Sequence, residues 1–246
     1  MLEVKQISKN FGDNTVLNNI SAIFEEKKIN CTIGKSGSGK TVLLKIIVGL
    51  ENPDQGEVYY DNRAFIGKKN NFQKQIRQEI GMVFQSGALF DSMSILDNII
   101  FPLNMFTSMT KEEKIERARY CLEKVELKNV EKLFPSDLSG GMQKRAAIAR
   151  AIVNNPKYLF LDEPNSGLDP ITAGKIDLLI KDIVDEMNVT TIINTHDMNS
   201  VMDIGDKVIF LSKGIKEWEG PVSDILNTNN KELNSFLEPF LSIRRK

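Results

Sequence analysis

Residues 34–41 read GKSGSGKT and lie between two apolar runs, INCTI (29–33) and VLLKIIVGL (42–50). The first run is typical of a buried strand and the second of a helix, so the glycine-rich segment forms a strand-to-helix turn. It fits the pattern G-x-x-x-x-G-K-[ST], whose backbone N–H groups bind phosphate. Gly37 and Gly39 lack the Cβ that would obstruct a polyphosphate. The turn therefore predicts a site for a nucleoside triphosphate.

The residues of this phosphate loop have separate predicted roles. We expect Lys40 to reach the β- and γ-phosphates and the Thr41 hydroxyl to ligate Mg²⁺. The remaining predicted phosphate-binding residues are Gly34, Lys35, Ser36, Gly37, Ser38 and Gly39. A glycine- and serine-rich surface turn is the alternative, and the strand and helix on either side argue against it.

Two carboxylates follow the apolar strand in YLFLDE (158–163). Acidic residues at the carboxyl end of a core strand lie where α/β folds bind ligands. We expect Asp162 to hold Mg²⁺, directly or through water, and Glu163 to orient and deprotonate the attacking water. On its own, this pair would be equally typical of a surface turn. The phosphate loop in the same chain favours the catalytic interpretation.

Two further polar residues end apolar strands. His196, the only histidine, follows VTTIIN (189–194), and Gln85 ends IGMVFQ (80–85). A lone histidine is more often structural than catalytic, but its position at a strand end favours a catalytic role here. An amide such as that of Gln85 can contact both Mg²⁺ and a water molecule. Gln85 is therefore a predicted metal ligand and sensor of the γ-phosphate.

A second glycine turn opens the stretch LSGGMQKRAAIARAI (138–152). The residues after the glycines are typical of a helix, whose first turn presents backbone N–H groups and a positive dipole end to an anion. This turn carries no lysine, so it differs from the phosphate loop. An ordinary helix cap is the alternative interpretation.

The chain changes character along its length. Strand patterns dominate the first sixty residues, helical signals run from 86 to 155, and strands then alternate with helices, including one over about 170–187. A capping box is predicted at Thr110 and Glu113. The polar stretch 227–232 is expected to be a loop before a short C-terminal helix. Apolar strands that alternate with helices predict a parallel sheet covered on both faces.

The composition excludes several classes of protein. The net charge is −1, which gives no basic surface for nucleic acid, and 41% of the residues are apolar against 26% charged. No apolar run approaches the length of about 20 residues that spans a bilayer, and the first residues do not resemble a signal peptide. Cys31 and Cys121 lie far apart and are expected to be buried thiols. These features predict a cytosolic protein.

The order of these motifs resembles that of ATP-binding cassette (ABC) ATPases, from residue 1 to about 220. The residues that carry the resemblance are the phosphate loop, VFQ (83–85), LSGG (138–141), LDEP (161–164), SGLD (166–169) and THD (195–197). The resemblance implies ATP as the nucleotide, Mg²⁺ as its metal and ATP hydrolysis as the activity. It also implies an α/β nucleotide-binding domain, in which a RecA-like P-loop core carries an antiparallel β subdomain and an α-helical signature subdomain.

The family pattern implies one domain over residues 1–246. Its predicted parts are a catalytic core with the β subdomain, a helical subdomain and a C-terminal tail, over residues 1–85 with 156–225, 86–155 and 226–246. The resemblance further implies that Phe11 stacks on adenine, with Val16 packed nearby.

In ABC ATPases two subunits pack head to tail, and each nucleotide lies between the phosphate loop of one and the LSGG turn of the other. By this resemblance Ser139, Gly140 and Gly141 donate to the γ-phosphate of the ATP held by a second copy of the chain. The second glycine turn would then serve a different ATP molecule from the first.

The resemblance also narrows the type of ABC protein. Lys40 and Asp162 are only 122 residues apart, too few for the coiled-coil insertions of DNA-repair relatives, and a single cassette disfavours the translation-factor type. The subunit of a membrane transporter remains. SGALFD (86–91), LSGGM (138–142) and LDPIT (168–172) resemble the ATPase subunits of Mla-type phospholipid transporters, whereas Asn165 departs from the usual threonine.

This type implies several partners and a location. An integral-membrane permease would dock in the groove after Gln85 and hold the chain at the cytoplasmic face of the inner membrane, with an MCE-type lipid-binding protein in the complex. The residues offered to the permease are Gly87, Ala88, Leu89 and Phe90. Burial in the core is the alternative for Leu89 and Phe90. The alternative functions are another ABC system, such as lipoprotein release or solute import, and an ATP-switched regulatory clamp of the cell-division type.

Overall fold

The computed structural model describes residues 1–66 and 71–244. Two compact units divide the chain: the first comprises Met1–Arg77 with Thr190–Lys246, and the second comprises Gln78–Val189. No helix within the described residues is both long and apolar enough to cross a membrane.

The strands and helices are numbered in chain order. The strands are β1 (Leu2–Phe11), β2 (Asn14–Phe24), β3 (Ile29–Ile33), β4 (Gln55–Tyr60), β5 (Arg63–Ala64), β6 (Ile80–Val83), β7 (Tyr158–Asp162), β8 (Thr190–Thr195), β9 (Lys207–Ser212) and β10 (Ile215–Pro221). The α-helices are α1 (Lys40–Ile47), α2 (Asn71–Gln78), α3 (Ile95–Phe106), α4 (Lys111–Lys124), α5 (Gly140–Ile152), α6 (Pro170–Met187), α7 (Met198–Ile204) and α8 (Lys231–Arg244). Short 3₁₀ helices cover Pro135–Asp137 and Val222–Asn227.

An antiparallel sheet occupies the first part of the first unit, in the order β2-β1-β4-β5. Strands β1 and β2 form a hairpin in which Leu2 pairs with Phe24 and Phe11 pairs with Asn14. Gly12, with a φ of 58°, lies in the tight turn between them. Buried and exposed residues alternate along both strands, which is typical of a sheet with one covered face. The antiparallel β subdomain is thus confirmed.

The second sheet of the first unit has β3 at its centre. Strands β8 and β9 flank β3 in parallel, and β10 adds an antiparallel edge to β9. All five residues of β3 are buried, as expected for a parallel strand covered on both faces. The predicted parallel arrangement is confirmed here, while β10 is an addition that the sequence did not reveal. Its residues are half-buried or exposed, so they lack a strong apolar pattern.

The second unit combines one parallel strand pair with helices. Strands β6 and β7 pair from Ile80 with Tyr158 to Val83 with Leu161. The predicted capping box of α4 is confirmed, since the Thr110 side chain accepts from the Glu113 backbone and the Glu113 side chain accepts from that of Thr110. Helix α6 has the bounds predicted for it.

Two boundaries differ from the prediction. Strand β6 ends at Val83 rather than at 85, because the chain turns there and the Gly87 N–H donates to the Phe84 carbonyl at 2.8 Å. Helix α8 begins at Lys231, inside the predicted loop, and extends over 14 residues. Leu233 and Leu237 are fully buried, so packing of an apolar face extends this helix beyond the short one expected.

Candidate functional site

The phosphate loop is a cradle that excludes side chains. A Cβ on Gly34 would lie 2.2 Å from the Leu211 carbonyl oxygen, and one on Gly39 would lie 2.6 Å from Leu17 Cδ2. Gly39 has a φ of 102° and caps α1 without a side-chain hydrogen bond. The first backbone N–H groups of α1 therefore have no side-chain cap and face the open end of the turn, where an anion binds.

The side chains of the loop fit a phosphate ligand. Lys40 is buried, and its Nζ donates to the carbonyl oxygens of Gly34 at 2.8 Å and Lys35 at 3.3 Å, which folds it over the loop. The Ser38 hydroxyl is buried and has no hydrogen-bond partner among the described residues. A polar oxygen buried in this way is normally satisfied by a ligand or water. These features fit the predicted triphosphate.

His196 leaves the sheet beside the phosphate loop. Ile33, the last residue of β3, pairs in parallel with Thr195, the last residue of β8. Gly34 and His196 therefore both begin at the same carboxyl edge of the first unit, which is where α/β sheets bind ligands. His196 is exposed at that edge. The parallel register places the residue within the first unit as its predicted role requires, and the role itself remains a prediction.

The predicted adenine contact lies at the end of the β1–β2 hairpin. Phe11 is 48% exposed, and the Lys9 ammonium lies 5.1 Å from its ring centroid. Lys9 in turn forms an ion pair with Glu51 at 2.8 Å, and this hydrogen-bonded carboxylate raises the pKa of Lys9. The Val16 carbonyl would lie 3.0 Å from a Cβ on Gly39, so Val16 packs beside the phosphate loop. An aromatic ring exposed in this way could stack on a base.

The carboxylates and Gln85 belong to the second unit. Asp162 is buried at the end of β7, and Glu163 follows with a φ of 50°. A left-handed conformation is strained for a residue with a Cβ, and such strain is concentrated at functional sites. Val83 pairs with Leu161, so Gln85 and Glu163 each stand two residues beyond the same pair. The register thus places both predicted residues at one end of β6 and β7.

The second glycine turn opens α5 as predicted. Ser139 is the N-cap, and its Oγ accepts from the Met142 N–H at 3.3 Å. A Cβ on Gly141 would lie 2.9 Å from Thr172 Cγ2, whereas one on Gly140 would meet only Leu168 Cδ2, at 3.7 Å. The packing of the described residues therefore gives a reason for glycine at 141 and none at 140. Close approach of an external ligand would supply one.

The loop after Gln85 is held by a half-buried arginine. Arg150 in α5 donates to the carbonyl oxygens of Gly87 and Ala88, both at 2.7 Å, and its guanidinium lies 5.8 Å from the Phe90 ring centroid. Burial lowers the pKa of Arg150. Ala88 has a φ of 47°, a strained conformation that these hydrogen bonds stabilise.

Exposure differs among the four residues predicted to meet the permease. Phe90 is 41% exposed, Ala88 is exposed, Leu89 is half-buried and Gly87 is buried. Phe90 thus offers apolar surface, as expected for a contact with another protein.

Lys144 was missed by the sequence analysis. Its ammonium donates to the Gln85 carbonyl oxygen and, at 3.3 Å, to the Ser166 hydroxyl. The signal was present: Lys144 precedes Ala147, Ile148 and Ala151 at helical spacing, so a lysine lies on the buried face of α5.

The predicted site residues fall into two sets. The phosphate loop, Phe11, Val16 and His196 lie in the first unit; Gln85, Asp162, Glu163 and the LSGG turn lie in the second. Among the described residues no group of three or more His, Cys, Asp or Glu side chains could hold a metal ion. The predicted Mg²⁺ ligands are a hydroxyl, an amide and one carboxylate, which suit an ion that keeps most of its ligands from phosphate and water.

Residues 17–166 match the family model of ABC transporters. The chain is 36% identical over 238 residues to the intermembrane phospholipid transport system ATP-binding protein MlaF of Haemophilus influenzae, covering 97% of this chain and 90% of that protein. It is 36% identical to the L-cystine import ATP-binding protein TcyC of Bacillus subtilis, covering 97% and 100%. It is 37% identical to the methionine import ATP-binding protein MetN of Latilactobacillus sakei, covering 95% and 69%.

Solved structures give the same picture. The dimeric structure of MJ0796, a bacterial ABC transporter cassette, matches with a TM-score of 0.83 and 35% identity, covering 90% of this chain and 99% of that one. A dimeric post-hydrolysis structure of the same cassette, bound to ADP and Pi, matches equally well, with a TM-score of 0.83.

Proposed function

The chain belongs to the ABC transporter family of ATPases, and from that premise we propose that it powers phospholipid transport through a partner permease. It is an ATPase, and the transported substrate is the finer question. The segments 86–91, 138–142 and 168–172 carry the proposal, because they resemble the Mla type. The likeness to MlaF over 97% of the chain supports it.

The catalytic roles follow from the two sets of site residues. Backbone N–H groups of the phosphate loop and Lys40 bind the phosphates of ATP, and Thr41, Gln85 and Asp162 would hold Mg²⁺. The metal would neutralise charge that develops on the phosphates. Glu163 accepts the proton of the attacking water, and its strained backbone supports this role. His196 lies at the sheet edge from which it can contact the γ-phosphate.

Two copies of the chain form the working enzyme. The MJ0796 cassette is a dimer in its solved structures, and this supports a dimer here. Within residues 1–66 and 71–244 no close contact requires glycine at 140, and this supports a ligand at the LSGG turn. We infer that Ser139, Gly140 and Gly141 bind the γ-phosphate of the ATP held by the second copy. ATP then joins the two chains, and hydrolysis releases them.

The loop at 87–90 is the surface that meets the permease. Phe90 offers exposed apolar surface there, and Arg150 holds the neighbouring carbonyl groups in place through hydrogen bonds. Because the loop is held in this way, a movement of this chain can be passed on to the permease. The permease holds the chain at the cytoplasmic face of the inner membrane, and an MCE-type lipid-binding protein completes the complex.

Solute import is the second candidate function. The cystine and methionine import proteins are as similar to this chain as MlaF is, at 36% and 37% identity. The ATPase chemistry would be the same in either case. Only the permease and its substrate would differ.

Reconstitution of the complex purified with this chain distinguishes phospholipid transport from solute import. The complex is placed in proteoliposomes, and ATP-dependent movement of a fluorescent phospholipid is measured beside uptake of labelled cystine and methionine. We expect phospholipid movement that stops in a complex carrying Glu163→Gln. Uptake of an amino acid without phospholipid movement would contradict the proposal, and so would ATP hydrolysis with no substrate moved.

A further inference from the structure

Lys144 is a charged residue on the buried face of the helix that begins at the LSGG turn. It is only 8% exposed and lies in the second turn of α5. Its neighbours along the buried face of this helix are alanines and isoleucines. A buried ammonium costs free energy unless hydrogen bonds compensate for the lost water, so a lysine here needs a reason.

The ammonium connects two loops of the second unit. It donates to the backbone carbonyl of Gln85 and, at 3.3 Å, to the hydroxyl of Ser166 in the SGLD turn. Glu163 comes just before the SGLD turn in the sequence, and its carboxylate interacts electrostatically with the Lys144 ammonium. Burial lowers the pKa of Lys144, and the Glu163 carboxylate partly offsets this effect.

The SGLD turn has a second anchor next to Ser166. The Asn165 side-chain amide donates to Asp177 Oδ1 at 2.6 Å, and Asp177 is buried in α6. A threonine, usual at this position in the family pattern, has no amide that could reach this carboxylate in the same way. The turn is therefore fixed to α6 through Asn165 and to α5 through Lys144.

We propose that Lys144 is a positioning residue. It holds the loop at Gln85 and the SGLD turn in place around Glu163, and it joins both to α5, the helix that begins at the LSGG turn. Gln85 and Glu163 act on the ATP bound by the same chain, whereas the LSGG turn acts on that of the second copy. Lys144 thus links the two nucleotide sites mechanically. The inference rests on the proposed roles of Gln85, Glu163 and the LSGG turn, and not on which substrate is transported.

The test compares ATP hydrolysis by purified complexes that carry Lys144→Met, Lys144→Arg or Lys181→Met. Methionine keeps the apolar stem and removes the donors, arginine keeps the donors, and Lys181 is an exposed lysine of α6 that serves as control. We expect Lys144→Met to lower kcat by about 10- to 100-fold, since a displacement of about 1 Å near the reacting atoms costs on the order of 10² in rate. KM for ATP should change by less than about threefold, because the phosphate loop is untouched. Lys144→Arg should keep most of the wild-type kcat, because arginine keeps the donors.

A double-mutant cycle with Ser166→Ala shows whether Lys144 acts through the turn. If it does, Ser166→Ala lowers kcat in the wild-type chain and has little further effect beside Lys144→Met. Thermal unfolding checks that each variant is folded. A kcat for Lys144→Met equal to that of Lys181→Met would overturn the inference. A kcat for Lys144→Arg as low as that of Lys144→Met would also overturn it. Glu163→Gln, measured in parallel, keeps the two proposals distinct, because retained hydrolysis there would refute the proposed role of Glu163 instead.

Discussion

At the scale of the residue, Glu163 is distinguished by its position and by its backbone conformation. It follows a buried aspartate at a strand end, and it has a φ of 50° although it carries a side chain. A glycine there would remove the strain and the carboxylate together. The strain is therefore understandable if the carboxylate itself is needed at that point.

Glu163→Gln should abolish turnover while leaving ATP binding intact. Glutamine keeps the size and the polar character of the side chain but does not accept a proton, and loss of a general base costs about 10²–10⁴-fold in rate. Steady-state hydrolysis and titration with a fluorescent ATP analogue measure the two effects separately. Glu116→Gln, at an exposed position of α4, is the control. Hydrolysis by Glu163→Gln at the rate of this control would refute the assignment.

The burial of the two thiols predicts how slowly they react with a thiol reagent. Cys31 and Cys121 are both buried, as expected from the sequence, and burial raises the pKa of Cys121 to about 11. The thiolate is the reactive form, so at pH 8 only about one Cys121 in a thousand is ionised in the native protein. We expect no thiol to react with Ellman's reagent within minutes at pH 8, and both to react in urea. A fast reaction in the native protein that Cys121→Ala removes would contradict this.

At the scale of the element, the conformation of the loop that precedes α3 depends on the side-chain amide of Asn98. Asn98 is fully buried, accepts from the Phe90 N–H at 2.7 Å, and donates to the Phe90, Met93 and Ser94 carbonyl oxygens at 3.0–3.2 Å. Together with Arg150, this amide fixes the segment that we propose to meet the permease. The conformation of residues 87–90 thus depends on side chains from two helices.

Asn98→Ala should destabilise the protein and loosen this loop. Removing the amide leaves several buried backbone groups unpaired, which costs about 2–3 kcal/mol in the free energy of unfolding. Asn104→Ala, at an exposed position of the same helix, should cost less than about 0.5 kcal/mol. Urea unfolding compares the two variants, and equal midpoints would show that the buried amide contributes nothing to the fold.

The elements also show how far the sequence predicts the structure. The phosphate loop, the capping box of α4 and the bounds of α6 were predictable, because each depends on residues that lie close together in the chain. Strand β10 and the start of α8 were not, because their sequences carry weak local signals and tertiary packing decides their conformation. Lys144 was missed for a different reason: the lysine on the buried face of α5 is visible in the sequence, but its partners lie 59 and 22 residues away.

At the scale of the whole molecule, each compact unit carries part of the predicted site. The first unit carries the phosphate loop and His196, and the second carries Asp162, Glu163 and the LSGG turn. The sequence alone does not assign this last turn to the site of another chain, since a serine cap followed by two glycines is equally typical of an ordinary helix start. The family resemblance implies that role, and the lack of a close contact at Gly140 among the described residues supports it, since a Cβ there would lie 3.7 Å from Leu168 Cδ2.

The central claim is that the LSGG turn of one chain completes the nucleotide site of a second copy. The measurement is the mass of the purified chain by light scattering, with and without ATP, in the Glu163→Gln background, which prevents turnover. The account predicts that ATP doubles this mass for Glu163→Gln alone. Addition of Ser139→Arg should abolish the doubling, because a bulky cation blocks the turn, while ATP still binds through the intact phosphate loop. Undiminished dimerisation of the Ser139→Arg chain with ATP bound would show that the turn is only a helix cap.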